Sequence, residues 1–272
     1  MKFRCRMVDP GAMRDFTSIV TNISRMAKYC VLRLTPDELC FNVGDERTPV
    51  LWAMLAQQYF FVEYVMNGTS EQENEIYLEF DASMIAKILN SLRATARSTK
   101  IKLTNKRQPC LTFEIDLSTL SVDSRQCVHD VPVKLISRKE WPEHKMPDIP
   151  EFDISLETPQ LKYLRHIVDR MKNMSSQLTV TANKCGALVV KIEVDYAAVS
   201  SHFKGLKVWG SREETDDISA TVSAKKLAMF LGWDILHPDG VKCNLLQEKM
   251  IKLTLDVGEH INIHYFIPAI IS

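Results

Sequence analysis

The sequence predicts an α+β protein made of two copies of one domain, each with antiparallel sheets and two amphipathic helices on one face. Three observations carry that reading. Strand-like and helix-like hydrophobic periods follow one another in the same order in both halves of the 272 residues. YLEFDASMIAKILNSL and ISATVSAKKLAMFLGW share a strand-to-helix pattern about 140 residues apart, a spacing that marks a duplicated domain and not a short solenoid unit. A stretch reading PVKLISRKEWPEHKMPDIP, with Pro132, Pro142, Pro147 and Pro150, lies between the halves. Proline fixes φ and removes a backbone donor, so an extended linker is expected there. The domains are expected over 1–132 and 151–272, with the linker over 133–150.

Taken in order, Lys2–Val8 alternates as a strand, with Phe3, Cys5 and Met7 on one face. Asp9-Pro10-Gly11 breaks it and opens a helix to Ala27, whose apolar stripe is Phe16, Ile19, Val20, Ile23 and Met26. Strands are expected at Cys30–Leu34 and Leu39–Val43, joined by the turn Thr35–Glu38, then at Val50–Leu55 and Phe60–Met66. After a polar, acidic loop come a strand at Ile76–Phe80 and a helix over Ala82–Ala94 burying Met84, Ile85, Ile88, Leu89 and Leu92. Strands at Thr99–Leu103, Pro109–Ile115 and Arg125–Val131 complete the first half.

The second half repeats the plan. Phe152–Leu156 reads as a strand, and Thr158-Pro159 as the cap of a helix burying Leu161, Leu164, Ile167, Val168 and Met171. Gln177–Ala182 and Ala187–Val194 pair across Asn183–Gly186. Past an acidic loop (Glu213, Glu214, Asp216, Asp217) come strand Ile218–Val222 and a helix from Ala224 with Leu227, Phe230 and Leu231 inward. Strands Val241–Leu246, Met250–Leu255 and His260–Ile267 close the chain.

Composition excludes several classes. A hydrophobic content of 46% with 25% charged residues is that of a soluble globular protein. No apolar run is long enough to span a membrane, and the N-terminal residues do not read as a secretory signal. The seven cysteines are scattered, with no C-x-x-C pair, and read as reduced thiols of the cytosol or nucleus. Three glycosylation sequons, at Asn22, Asn67 and Asn173, are idle without secretion.

Catalytic patterns are missing. There is no glycine-rich phosphate loop and no G-x-S-x-G elbow. His260 and His264 would lie about 13 Å apart along one strand face, too far to share a metal. No metal site and no cofactor is expected. The charge pattern says more. The chain is formally neutral, with 34 basic and 34 acidic residues, yet no acid falls between Asp81 and Glu114 while Lys87, Arg93, Arg97, Lys100, Lys102, Lys106 and Arg107 do. All four amphipathic helices turn cations outward: Arg14, Arg25 and Lys28 around the first, Lys87, Arg93 and Arg97 on the second, Lys162 and Arg170 on the third, Lys225 on the fourth. One such helix is a solubilising face. Four on the same side of duplicated sheets fit a polyanion held through its phosphates, without base readout.

MKFR at the start, NEIYLEF at Asn74–Phe80, KIKLTNK at Lys100–Lys106, PCLT at Pro109–Thr112 and HDVPVK at His129–Lys134 resemble one family closely. So do MKNMS at Met171–Ser175, HFKGL at His202–Leu206 and YFIPA at Tyr265–Ala269. The family is Hus-one, the DNA-damage checkpoint clamp subunit of the nine-one-one ring, and the likeness runs end to end, weakest over Gly210–Asp217. It implies the sliding-clamp fold, with helices lining a hole that encircles double-stranded DNA and sheets outside. It also implies a non-enzymatic, nuclear subunit, with a cytoplasmic pool, that joins Rad-nine and Rad-one. A Rad-seventeen clamp loader opens the ring onto DNA, and the ring then recruits checkpoint and repair proteins. On this reading the DNA-facing cations are Arg14, Arg25, Lys87, Arg93, Arg97, Lys162, Arg170 and Lys225, with Lys28 and Arg165 as further candidates. Lys100, Lys102, Lys106 and Arg107 become rim contacts. A client pocket under the linker, beside the last strand, would take Val43, Leu135, Ile136, Phe266, Ile267 and Pro268. Two other readings stand beside it. A homotrimeric replication clamp has the same fold but is usually acidic, whereas this pI is about 7.0. A nucleic-acid-processing enzyme would need clustered carboxylates that the sequence does not show.

Overall fold

The structure, a computed structural model, describes residues 1–45, 48–92, 96–118, 125–148, 151–211 and 217–270. It divides into two compact units, Met1–Met146 and Pro147–Ser272.

In the first unit β1 (Lys2–Met7) leads into α1 (Pro10–Met26). Asp9 caps that helix by accepting from the Ala12 N–H at 2.8 Å, with Pro10 at the first turn where no backbone donor is needed. There follow β2 (Tyr29–Leu34), β3 (Glu38–Asp45), β4 (Thr48–Ala56), the single turn α2 (Gln57–Phe60), β5 (Glu63–Asn67) and β6 (Ile76–Asp81). Next come α3 (Ala82–Leu92), β7 (Ala96–Asn105), β8 (Pro109–Leu117) and β9 (Arg125–Leu135). The strands run in the order β4-β3-β2-β6-β9-β8-β7-β1-β5. Strand β9 joins two sheets: Arg125–Pro132 pair with β8, and Val133–Leu135 pair with β6.

The second unit contains β10 (Ile154–Glu157), α4 (Leu161–Met171), β11 (Gln177–Asn183), β12 (Leu188–Val194), β13 (Ala197–Phe203), β14 (Val208–Ser211) and β15 (Asp217–Ser223). It continues with α5 (Ala224–Leu231), β16 (Gly240–Leu246), β17 (Met250–Val257) and β18 (Ile261–Pro268). Its strands form the sets β14-β10-β16-β17-β18 and β13-β12-β11-β15. Pairing repeats between units: β1 takes β7 and β5 as β10 takes β16 and β14, and β2 takes β3 and β6 as β11 takes β12 and β15. Duplication is therefore visible in the hydrogen bonds themselves.

Each core lies between helices and sheet. Phe16 of α1 meets Phe41, Phe60 and Phe61, with ring centroids 6.0–6.3 Å apart. In the second unit Phe230 of α5 stacks on Tyr265 of β18 at 5.4 Å, and Trp233 is fully buried. Asn90 of α3 donates to Thr21 Oγ1 of α1 at 2.8 Å, tying the first helix pair together. The turn before β12 needs glycine: Gly186 has φ +73°, and a Cβ there would meet the Leu206 carbonyl oxygen at 2.2 Å.

Several expectations change. Val133–Leu135 are strand, not linker, because β6 supplies their ladder. Met84 is 41% exposed, since Ile85, Ala86 and Leu89 form the inward stripe of α3. The described part of that helix runs from Ala82 to Leu92, and Arg97 belongs to β7. Thr158 donates its N–H to the Val241 carbonyl at 2.9 Å, which keeps it extended; α4 begins at Leu161 behind Gln160 without a side-chain cap. Phe60 belongs to a helical turn, and strands β13 and β14 were not anticipated. The acidic residues Glu213, Glu214 and Asp216 lie outside the described residues.

Candidate nucleic-acid interface

The helices take their charge from the residues left over once the apolar stripe is buried. On α1, Arg14 and Arg25 are eleven residues apart, which returns them to nearly the same side, about 16 Å apart along the axis. Both are exposed, as are Lys87 on α3, Lys162 and Arg170 on α4, and Lys225 on α5. The acids of these helices are Asp15 and Asp169. Each is engaged: Asp15 accepts from the Tyr59 hydroxyl at 2.9 Å, and Asp169 pairs with Lys172 at 2.5 Å and with Arg165 at 3.8 Å.

Six exposed helix cations are left without an ion pair. Among the described residues, Arg14, Arg25, Lys87, Lys162, Arg170 and Lys225 form no ion pair. Off the helices, Arg4 pairs with Glu63, Arg33 with Glu75 at 2.8 Å, Lys102 with Glu114 at 2.7 Å and, in the turn after β7, Lys106 with Asp130 at 2.7 Å, whereas Lys2, Arg6, Lys100 and Lys242 form no ion pair among the described residues. A neutral chain thus keeps unneutralised positive charge on its helices, where a polyanion would find charges already free to exchange counterions for phosphates.

Individual assignments follow. Arg97 is exposed, but on β7, where its Nε donates to Ser118 at 3.2 Å. Arg93 lies outside the described residues. Arg165 is tied down, its Nη1 3.0 Å from Asp234, which takes it out of the free set. Lys28 sits past the end of α1 with its Nζ 5.2 Å from the Tyr29 ring. Lys102 and Lys106 are paired and do not offer free charge at a rim.

The six pocket candidates fall three in each unit. In the first unit Val43 is 4% exposed within β3, Ile136 is 9% exposed, and Leu135 reaches solvent. In the second unit Phe266 and Ile267 are buried in β18, and Pro268 at its end is half-buried. What the sequence reading missed is the cover over Ile136. Val31, Tyr77 and Ile136 form an apolar cluster on which Trp141 packs. The indole stacks on Tyr77 at 4.8 Å and donates to the Ile136 carbonyl at 3.1 Å. Asn42, buried in β3, donates to the His144 carbonyl at 2.8 Å. A tryptophan in a proline-rich linker was the available signal, since so large an apolar side chain is seldom left in water.

Among the described residues, no group of three or more His, Cys, Asp and Glu side chains is gathered to hold a metal. No helix is long and apolar enough to cross a membrane.

Checkpoint protein HUS1 of Homo sapiens is 37% identical over 281 residues, covering 99% of this chain and all of the human protein. Checkpoint protein Hus1-like of Drosophila melanogaster is 29% identical over 99% of both chains, and checkpoint protein hus1 of Schizosaccharomyces pombe is 31% identical over 76% of this chain. Among solved structures, PCNA from Thermococcus kodakaraensis superposes over 98% of this chain with a TM-score of 0.71 at 17% identity. Proliferating Cellular Nuclear Antigen from Entamoeba histolytica does so over 99% with 0.72 at 13%. Those two share the fold, which is the PCNA-like sliding-clamp fold. The family model described as Hus1-like protein matches residues 1–271, and the chain belongs to the Hus1-like family of checkpoint proteins.

Proposed function

We propose that this chain is a non-enzymatic subunit of a heterotrimeric ring that encircles double-stranded DNA, with its helices toward the duplex. The observation that carries the reading is the set of six exposed helix cations, Arg14, Arg25, Lys87, Lys162, Arg170 and Lys225, that form no ion pair among the described residues while both acids of these helices are engaged. Sliding needs that arrangement, because contacts to phosphates hold without specifying sequence. The DNA-facing set is Arg14, Arg25, Lys87, Lys162, Arg170 and Lys225, with Arg93 and the β7 residue Arg97 as further candidates. Ring closure is supported by two open strand edges. Among the described residues, strand β13 ends its sheet and β9 over Arg125–Val131 pairs with β8 alone, leaving Val128 53% exposed. Long open edges invite pairing, and two different edges joined head to tail generate a ring. The neighbours proposed are the Rad-nine and Rad-one subunits, the loader is Rad-seventeen, and the compartment is the nucleus.

The test is co-expression. The chain alone is expected to run as a monomer on size exclusion and to enter a heterotrimer when produced with the two partners. That heterotrimer is expected to stay on nicked circular DNA and to slide off after linearisation. A trimer of this chain alone would replace the reading with that of a homotrimeric replication clamp.

A further inference from the structure

Between α1, α3 and the strands β1, β7 and β8 of the first unit lies a cavity of about 120 Å³, which opens at the surface beside Pro10 and Arg14. Ala96 gives its wall only a methyl group, and β7 slips register against β8 between Ala96 and Ser98, which leaves the space unfilled. The floor is apolar, with Met7, Leu89 and Ile115 all buried. Both hydroxyls of the lining are spent inside the protein. Thr17 donates to the Met13 carbonyl at 2.7 Å, and Thr99 donates to the Met13 sulfur at 3.7 Å. Thr99 and Ile115 face each other across β7 and β8, so strand alternation turns Lys100, Glu114 and Asp116 to the opposite side. Among the described residues no carboxylate lines the cavity, and Arg14, exposed and without an ion pair, is its single charge. The acids on either side of Arg14 are engaged elsewhere, Asp9 by the Ala12 N–H and Asp15 by the Tyr59 hydroxyl.

We propose that this cavity is a binding site for a small aromatic carboxylate, its ring among Met7, Leu89 and Ile115 and its anionic end on Arg14. Size selects one ring: an apolar cavity of about 150 Å³ stays dry and takes benzene, and this one is slightly smaller and open at the surface. Water is a poor occupant, because it needs about two to four polar partners and the floor has no free side-chain donor. A nucleobase of similar size fits badly, since its polar edge would be buried unpaired against Met7 and Leu89. Two methionines in the wall suit an aromatic ring, whose edge packs well on sulfur. At the mouth a guanidinium selects a carboxylate, which it holds in a bidentate, charge-assisted pair. Arg14 also belongs to the set placed toward DNA, so a seated carboxylate competes with a phosphate for it. That competition rests on the clamp reading; the binding itself does not.

The test uses the full chain and para-fluorobenzoate as probe, read by fluorine NMR. Saturable binding with a Kd of about 1 mM or tighter is expected, a range open to a ligand of about ten non-hydrogen atoms; no saturation overturns the proposal. Ala96→Leu fills the cavity and is expected to abolish binding, and unchanged binding by a folded Ala96→Leu chain overturns the site. The neutral para-fluorobenzamide is expected to bind wild type at least tenfold more weakly than the carboxylate, and Arg14→Gln is expected to erase that difference. A difference that persists in Arg14→Gln overturns the role of Arg14. Thymidine monophosphate is the nucleotide control, and binding as tight as that of para-fluorobenzoate overturns the apolar class. If Ala96→Leu does not fold, carbon-13 methyl spectra of methionine-labelled wild type decide. Met7 and Met13 are expected to shift on titration while the other methionines stay, and shifts confined to the others overturn the proposal. In the assembled heterotrimer, saturating para-fluorobenzoate at matched ionic strength is expected to lower the salt slope of DNA retention by about 0.9. An unchanged slope overturns the competition and leaves the site standing, whereas failure to form the heterotrimer overturns the clamp reading alone.

Discussion

Arg165 Nη1 lies 3.0 Å from Asp234 Oδ1, while Lys162, one turn earlier on the same helix, has no ion-pair partner among the described residues. The pair divides α4 into a cation that serves the fold and cations left for a ligand. Arg165→Ala is expected to cost at most about 1 kcal/mol in stability, the range for partly exposed pairs, and to leave DNA retention unchanged.

Lys162→Glu with Arg170→Glu, or Arg14→Glu with Arg25→Glu, should behave in the opposite way. Assembly of the ring is expected to persist while retention on DNA falls. For every phosphate no longer neutralised, the slope of log affinity against log salt should shrink by about 0.9. Measured retention against salt checks this, and an unchanged slope would remove these residues from the DNA-facing set.

Arg33 grips Glu75 with two bonds, Nε to Oε2 at 3.2 Å and a terminal nitrogen to Oε1 at 2.8 Å. The guanidinium holds the Glu75 carboxyl below its usual range. A depressed carboxylate contributes stability that is present above its unfolded value and is lost as pH falls through its folded value. Glu75→Gln should therefore lower stability at neutral pH by less than about 1 kcal/mol, because the pair is partly solvated, and should flatten the acid limb of the unfolding curve. Urea titrations between pH 3 and pH 7 would show it.

His264 gives a second acid response. Burial first, and then the nearby Lys252 ammonium, lower its imidazole to about 4. The unfolded chain takes up a proton near pH 6.5 that the folded chain refuses until about pH 4. Its contribution is complete above the unfolded value and is lost as pH falls through that interval. His264→Gln is expected to remove about 1–2 kcal/mol of this acid destabilisation, allowing for partial exposure of the ring. Melting temperature against pH, wild type beside variant, reads it out.

Thiol reactivity should divide by burial. Cys5, Cys30, Cys40, Cys110 and Cys243 are buried, whereas Cys185 is exposed. Burial pushes the Cys40 and Cys243 thiols up to about 12, so neither supplies thiolate at neutral pH. Iodoacetamide at pH 7.5 is expected to label Cys185 first and to leave the buried thiols intact until denaturant is added. Mass spectrometry of the digest gives the order.

Phe16→Ala removes the ring that meets Phe41, Phe60 and Phe61, and should cost about 3–5 kcal/mol in stability. Denaturant unfolding measures it.

By itself the sequence determined the α+β class, the duplication and the family, because hydrophobic period and local motifs are properties of neighbouring residues. Helix α1 was legible from its stripe and from Asp9-Pro10, which set cap and first turn locally. The direction of Arg14, Arg25, Lys87, Lys162, Arg170 and Lys225 followed from the same period. Tertiary structure decided what depends on residues far apart in the chain. Arg165 looked like its neighbours until Asp234, 69 positions away, came within 3.0 Å of it. Val133–Leu135 looked like linker until β6 supplied a ladder, and Lys102 and Lys106 looked free until Glu114 and Asp130 faced them. Trp141 gave only the signal of an apolar side chain in a proline-rich stretch; its place on Tyr77 was fixed by a sheet surface assembled from β2 and β6. Periodicity reports which side of an element faces the core. Only the fold brings distant charges and rings within reach, and so settles which surface groups are already partnered and which are left for a ligand.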